Sequence, residues 1–367
     1  MVKIYKQSSK IKKILIIILI IVLDIGVSLY LFRNRTQNVR ISSNKVIENT
    51  VPAVKENNIW SMLITGDVIP ARSVNWQMTL KNDFMWPLRG IKDILQSADL
   101  TLINLESPLI SNCPITNEGM KFCGDTRFAQ SLKTSGVDVV NLANNHSLNY
   151  GWEGLGETEK LLNNLGIDTV GYTNNVCYYS SNPDADRDEK LSEKSSHPAK
   201  PDCVGRQDSN NNVDCSSSVI KVVQNIKVGF LGYNTVGQQL NRELVSKQIT
   251  DLRKSVDIIV ISIHWGKEYT QIPEKEAEDP KELGRWFIDS GADIIVGNHP
   301  HVIQPFEFYG KGVIFYAMGN TVFDQEWSSE TKKGNLVKLN FLGKQLQNNK
   351  IEIIPIGIRN YGEAFIP

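Results

Sequence analysis

Residues 294–320, "IIVGNHPHVIQPFEFYGKGVIFYAMGN", decide the fold. The run from Ile294 to Val296 has the β-branched content of a buried strand, and it exits through Gly297 and Asn298 into two histidines flanking one proline. A second apolar run, Gly312 to Tyr316, follows after a polar, glycine-containing stretch. The chain holds five histidines in all, so two at one strand mouth is a concentration. In sheets of alternating strands and helices, ligands bind in the crevice beyond the carboxyl ends of the strands. Pro300 fixes its own φ and biases His299 toward extended backbone, so a stiff turn with extended geometry at His299 is expected.

The pattern repeats outward from this stretch. Short β-branched runs occur in "WSMLITGD", "DLTLINLE", "VDVVNLANNH", "IKVGFLGYN" and "VDIIVISIHWG". Helix-like segments lie between such runs, among them "RFAQSLKTSG", "GWEGLGETEKLLNNLG" and "DPKELGRWFIDSG", the last two ending in a glycine suited to a C-cap. Alternation of this kind predicts an α/β fold. "KQLQNNKIEIIPIGI" reads as an amphipathic strand and predicts some antiparallel sheet near the end.

Each run ends in residues of metal-ligand or catalytic type: Asp67, Glu106, then Asn144, Asn145 and His146, then His264, then His299 and His301. Carboxylates, an amide oxygen and imidazoles suit Mn, Fe or Zn, and a bridging carboxylate can hold two ions about 3.5 to 4 Å apart. One or two divalent ions are therefore expected. Arg72 could clamp a carboxylate or phosphate, or serve in an ion pair. Glu268 either orients His264 as a hydrogen-bond acceptor or faces solvent. Asn144 and Asn320 complete the substrate-binding candidates, although the "MGN" around Asn320 also suits a backbone turn. No G-x-S-x-G elbow and no P-loop occurs, which removes a serine-hydrolase triad and P-loop ATP binding.

Composition bounds the partners. With 40 basic and 40 acidic residues there is no net field to attract nucleic acid. The run Ile14 to Phe32 is long and apolar enough to cross a bilayer despite Asp24. It exceeds the apolar core of a signal peptide and lacks a small-x-small site behind it. Lys3, Lys6, Lys10, Lys12 and Lys13 before it, against Arg33 and Arg35 after it, favour an inside amino terminus. The expected organisation is a cytoplasmic stub and anchor over 1–33, a polar linker over 34–58, and an extracytoplasmic domain over 59–367. That domain carries a polar insertion at about 180–218, where His197 reads as a solvated loop residue. An extracytoplasmic location permits disulfides. Local spacing favours Cys113 with Cys123, then Cys203 with Cys215, and leaves Cys177 over.

The ordered motifs "TGDVIPAR", "NLESPL", "LANNHSLNYG", "ISIHWGKEY", "VGNHPHVIQPFE" and "YAMGNTVFDQ" resemble the capsule synthesis family CapA, also called PgsA, over roughly Trp60 to Gln325. That family is associated with poly-γ-glutamate production and is similar to calcineurin-like metallophosphoesterases. The resemblance implies an αββα sandwich in an envelope-polymer accessory protein, with the polymer and the membrane polymer-synthase subunits as partners. An extracytoplasmic metallophosphoesterase and a non-catalytic polymer-binding scaffold are the rival readings. It further implies Asp67, Glu106, Asn145, His264, His299 and His301 as metal ligands. Glu106 would bridge, His264 and His299 would serve one ion, His301 would serve the other, and His146 would be the general acid. Three positions depart from the pattern: Ile69 stands where a phosphoesterase places a histidine, Glu106 replaces an aspartate, and Asn149 stands where the family often has aspartate.

Overall fold

The computed structural model describes residues 58–171 and 218–367. The run Ile14–Phe32, the linker up to residue 57, Cys177, His197, Cys203, Cys215 and the insertion up to residue 217 lie outside the described residues. Among the described residues no helix is long and apolar enough to cross a membrane.

The first half contributes β1 (Ile59–Val68), β2 (Leu100–Leu105), β3 (Leu109–Ile110), β4 (Gly124–Asp125), β5 (Val139–Asn141) and β6 (Asp168–Val170). The second half begins with β7 (Val219–Val223), β8 (Ile226–Asn234), β9 (Ile258–His264), β10 (Ile294–Asn298), β11 (Phe306–Tyr309) and β12 (Gly312–Phe315). It ends with β13 (Asn320–Val322), β14 (Lys333–Leu342), β15 (Gln345–Leu346), β16 (Glu352–Arg359) and β17 (Glu363–Phe365). The helices are α1 (Ser73–Lys81), α2 (Lys92–Leu95), α3 (Phe128–Thr134), α4 (Gly151–Asn164), α5 (Arg242–Arg253) and α6 (Pro280–Asp289). Each of the three expected helices is present, as α3, α4 and α6.

Two large sheets form. The first runs β17-β16-β14-β1-β2-β5-β6, with β13 beside the end of β1 and β15 on β14; the second runs β11-β12-β10-β9-β8-β7. Strands β1, β2, β5 and β6 are parallel, as are β8, β9, β10 and β12. The expected antiparallel strand is β16, which pairs with β14.

Strand alternation sorts the core. Met62 and Ile64 of β1, Leu102 of β2, Phe230 of β8, Val260 of β9 and Val296 of β10 meet between the two sheets. Leu63, Ile103 and Val140 turn the other way, onto Phe128, Leu132 and Leu155 of α3 and α4. Ile259, Ile261 and Ile295 turn away from the first sheet, onto Ile249 of α5 and Leu283 and Phe287 of α6. The layers are helix, sheet, sheet, helix, and the central strands are apolar on both faces because both faces are covered. Each such side chain contributes about 1.5 to 3 kcal/mol on full burial. Local signals start the helices: Asp279 caps α6 through the Lys281 and Glu282 amides, with Pro280 at its first turn, and Asn241 caps α5 through Leu244.

Candidate metal centre

The facing parallel strands of both sheets release their last residues at one place. From the first sheet come Asp67 at the end of β1, Glu106 just past β2, and Asn145 and His146 past β5. From the second come His264, the last residue of β9, and His299 and His301 past β10. The structure therefore brings together every residue for which ligation or proton transfer was expected. A register shift between Ile64 and Asp67 re-aims the end of β1. Gly66 makes this possible, because a Cβ there would stand 1.9 Å from the Gly319 carbonyl oxygen.

Glu106 is the hub. It is fully buried, and neither carboxylate oxygen has a hydrogen-bond partner. Its Oε1 lies 3.4 Å from His264 Nε2 and 3.8 Å from His301 Nε2. Two ligand groups, each with donor atoms within 4.8 Å of one another, share it: Glu106 with His299 and His301, and Glu106 with Asp67 and His264. His264 Nε2 also lies 3.0 Å from Asn145 Oδ1 and 3.1 Å from His299 Nδ1. Asp67 accepts from the His299 backbone amide at 3.1 Å and faces His301 Nδ1 at 3.4 Å.

Charge in this cluster is uneven. Burial works against a charged Asp67, but its hydrogen bond to His301 and the attraction of His301 and His264 hold it below the ordinary aspartate value. Burial would lower His301, yet Glu106 and Asp67 push it up to about 9. His299 falls well below an ordinary histidine through burial and repulsion by His264, His301 and His146. His146 is lowered by burial against an opposing pull from Glu106 and Asn149.

One expectation about the turn is corrected. His299 is not extended: its φ is 99°, and His301 follows at 57°. Positive φ at two non-glycine residues flanking a proline costs about 1 to 3 kcal/mol each and persists only where surroundings over-determine it. Here the bond from the His299 amide to Asp67 and the contacts of both rings with the cluster supply that constraint.

The substrate-binding candidates are engaged within the protein. Asn144 donates to the Leu105 carbonyl and accepts from the His146 amide and the Ser147 hydroxyl. Asn320 donates to Thr331 O at 2.9 Å, so its Oδ1 faces His301 Nδ1 at 2.9 Å as an acceptor, leaving Nε2 of that ring for the Glu106 side. Arg72 forms an ion pair with Asp324 and donates to Gly119 O, the ion-pair alternative of its two readings. Glu268 is not among the partners of His264, whose ring has Asn145, Glu106, His299 and Asn104 around it.

Sequence reasoning missed the rings that frame the cluster. Phe122 stacks on His146 with centroids 4.0 Å apart, and Phe323 lies 5.4 Å from His301. The Arg72 guanidinium sits over both rings, at 4.8 and 5.0 Å. Ile69, in the place of the absent histidine, is fully buried in one cluster with Phe122 and Phe323. The signal that could have found Phe122 is its neighbour: the Cys113–Cys123 disulfide is present with a Cα separation of 5.7 Å, and it closes the loop that carries Phe122. Asn149 Oδ1 accepts from the Phe122 amide at 2.7 Å and faces His146 Nδ1 at 3.0 Å. That places the ring proton of neutral His146 on Nδ1 and leaves Nε2 able to take one up.

The profile of the bacterial capsule synthesis protein PGA_cap matches residues 61–325. The chain belongs to that family. The capsule biosynthesis protein CapA of Bacillus anthracis is 27% identical over 329 residues, covering 83% of this chain and 69% of that one. The PGA biosynthesis protein CapA of Bacillus subtilis (strain 168) is 27% identical over 326 residues, covering 84% and 74%. Among solved structures, a novel phosphatase of Mycoplasma pneumoniae has 16% identity and a TM-score of 0.47, covering 82% of this chain and 94% of that one.

Within this capsule synthesis family member, a divalent cation fits the donor set. A buried carboxylate with both oxygens unpartnered is costly, whether charged or not, unless a cation or proton donor completes it. Two carboxylates, an amide oxygen and three imidazoles around it are oxygen and nitrogen donors of the type that Mn, Fe and Zn accept.

Proposed function

We propose that the chain is a membrane-anchored accessory protein of capsule or poly-γ-glutamate-type polymer synthesis, acting outside the cytoplasm through a divalent-metal centre at its strand ends. One observation carries the metal reading: Glu106 is fully buried, unpartnered and shared by both ligand groups. Asp67, Glu106 and His264 would hold one ion and Glu106, His299 and His301 a second, a different division from the expected pairing of His264 with His299, with Asn145 completing the set. Bound there, the metal supplies Lewis-acid polarisation of a substrate oxygen. His146, with its proton fixed on Nδ1 by Asn149, offers Nε2 to move a proton to or from the reacting group. Phe122 covers that imidazole and limits water around it. Asn144, Asn320 and Arg72 act by holding His146, His301 and the flanking rings in place.

The apolar run Ile14–Phe32 supports the anchor, the Cys113–Cys123 bond supports an oxidising compartment, and the relatives named for capsule and PGA biosynthesis support the polymer. Ile69 favours a second reading, in which the centre binds polymer or a partner without hydrolysing anything. Full-length protein in detergent, supplied with Mn or Zn and then dialysed, is expected to retain one or two ions per chain by elemental analysis. None retained would remove the metal reading. Turnover of a phosphomonoester by the loaded protein, lost in His146→Ala, selects hydrolysis over the binding reading. Fractionation that left the full chain soluble would remove the anchor.

A further inference from the structure

Beneath the ligands lies a row of amides with a built-in direction. Asn320, Asp67, Asn104 and Asn141 are register partners on the adjacent parallel strands β13, β1, β2 and β5. All four are at most 1% exposed. Asn141 is oriented first: its Oδ1 accepts from the Ala143 amide at 3.1 Å, so its Nδ2 is the end that faces Asn104. That Nδ2 donates to Asn104 Oδ1 at 2.9 Å. With its oxygen so occupied, Asn104 must point its own Nδ2 toward Asp67, and it donates to Asp67 Oδ1 at 2.8 Å. The second Asp67 oxygen accepts from the His299 amide and faces His301. The opposing sheet leaves room for this row at Gly232, where a Cβ would stand 2.3 Å from Asn141 Oδ1.

We infer that Asn104 and Asn141 are positioning residues: a hydrogen-bond row running from the Ala143 amide through Asn141 and Asn104 fixes the rotation of the Asp67 carboxylate, and with it the ligand geometry of the centre. Asn141 reaches the centre through Asn104, which donates to Asp67 and lies 3.5 Å from His264 Nδ1, so neither amide needs to touch the metal to act on it. A carboxylate that accepts from a buried amide on one oxygen presents the other lone pairs in one orientation, and groups behind metal ligands typically change metal affinity about 10- to 100-fold when removed. The direction matters as much as the contact. If Asn141 could not donate, Asn104 would be free to turn its carbonyl toward Asp67, oxygen against oxygen.

This rests on the metal reading for its affinity arm and stands apart from it in its second arm. The experiment compares full-length wild type with Asn104→Ala, Asn141→Ala and Asn141→Asp, each checked for folding by circular dichroism. Mn affinity is measured by titration, and the electronic spectrum of the Co-loaded protein reports ligand geometry. Asn104→Ala is expected to weaken Mn at least tenfold and to alter the Co spectrum. Asn141→Asp, two residues removed from the metal, is expected to weaken Mn more than Asn141→Ala, because it reverses the row where Ala only releases it. In the second arm, metal-free protein is followed by NMR, and the Asn104 side-chain amide protons are expected to be protected from exchange in wild type and to lose protection in Asn141→Ala. Wild type that binds no metal would end the metal reading while the exchange arm still judges the row. Folded Asn104→Ala with wild-type affinity and spectrum, or freely exchanging Asn104 protons in wild type, would overturn the inference.

Discussion

The two sheets supply opposite chemistry to one crevice. The strand ends of the first deliver both carboxylates and the amides, Asp67, Glu106, Asn104 and Asn145, with the single imidazole of His146; those of the second deliver the three ligand imidazoles His264, His299 and His301. They also differ in strain. The turn that carries Asn144 to His146 has no residue at positive φ, whereas the turn from His299 to His301 has two. The acidic half is shaped by local amide bonds to its own backbone, as in Asn144 to Leu105, and the basic half is held in strained geometry by bonds that cross to the other sheet, as in the His299 amide to Asp67. The centre is therefore assembled by sheet packing, and the basic half depends on the acidic one for its shape.

The comparison can be broken most sharply at the hub. Glu106→Gln is expected to lower metal affinity by more than about 100-fold while leaving the metal-free protein folded, since it removes the carboxylate that both ligand groups share and keeps the size of the side chain. Metal titration and chelator-treated melting curves read both, and a metal-free protein much less stable than wild type would assign Glu106 a structural role. Cys113→Ser with Cys123→Ser removes the loop closure above the acidic half, at about 2 to 3 kcal/mol in the chain-entropy model. Denaturant unfolding under non-reducing conditions should show that loss, and an unchanged midpoint would mean the loop is held by its other contacts.

The basic half is tested by pH in chelator. His301 is raised to about 9, so its contribution is complete below its ordinary value of 6.5 and is lost as pH climbs through 9. His299 is lowered, so the unfolded chain takes up a proton below 6.5 that the folded chain resists, and stability falls on that side too. Metal-free stability should therefore peak near pH 6.5 and decline in both directions; a flat profile from about pH 5 to 9 would show that these imidazoles are not coupled as the geometry has them. The smallest effect expected is at the strained turn. His299→Gly relieves a φ of 99° but also empties the place of a buried ring, two opposing effects, so metal-free stability should change little while metal stoichiometry drops. Thermal melting beside elemental analysis checks it, and a large destabilisation would mean the imidazole is a packing residue first.

Much of this is legible in the amino-acid sequence alone. Runs such as "VDIIVISIH" and "ADIIVGNH" are apolar without interruption because helices and a second sheet cover both strand faces, and that local composition specifies buried parallel strands. Their polar last residues mark the crevice for the same reason: the strand ends where its apolar partners end. The disulfide is readable from short spacing, since a short loop brings its ends together with little help from the rest of the chain. Tertiary structure alone decides what lies between distant segments. The positive φ at His299, opposite to the bias of Pro300, follows from a bond to Asp67, 232 positions away. His264 takes its partners from Asn145, Glu106 and His299, distant in sequence, and not from Glu268 four positions on. Asn104 and Asn141 look like ordinary strand asparagines until strand register sets them in line with Asp67. Sequence periodicity specifies which face a side chain takes, but pairing partners depend on register and on how two sheets meet, and those are properties of the packed molecule.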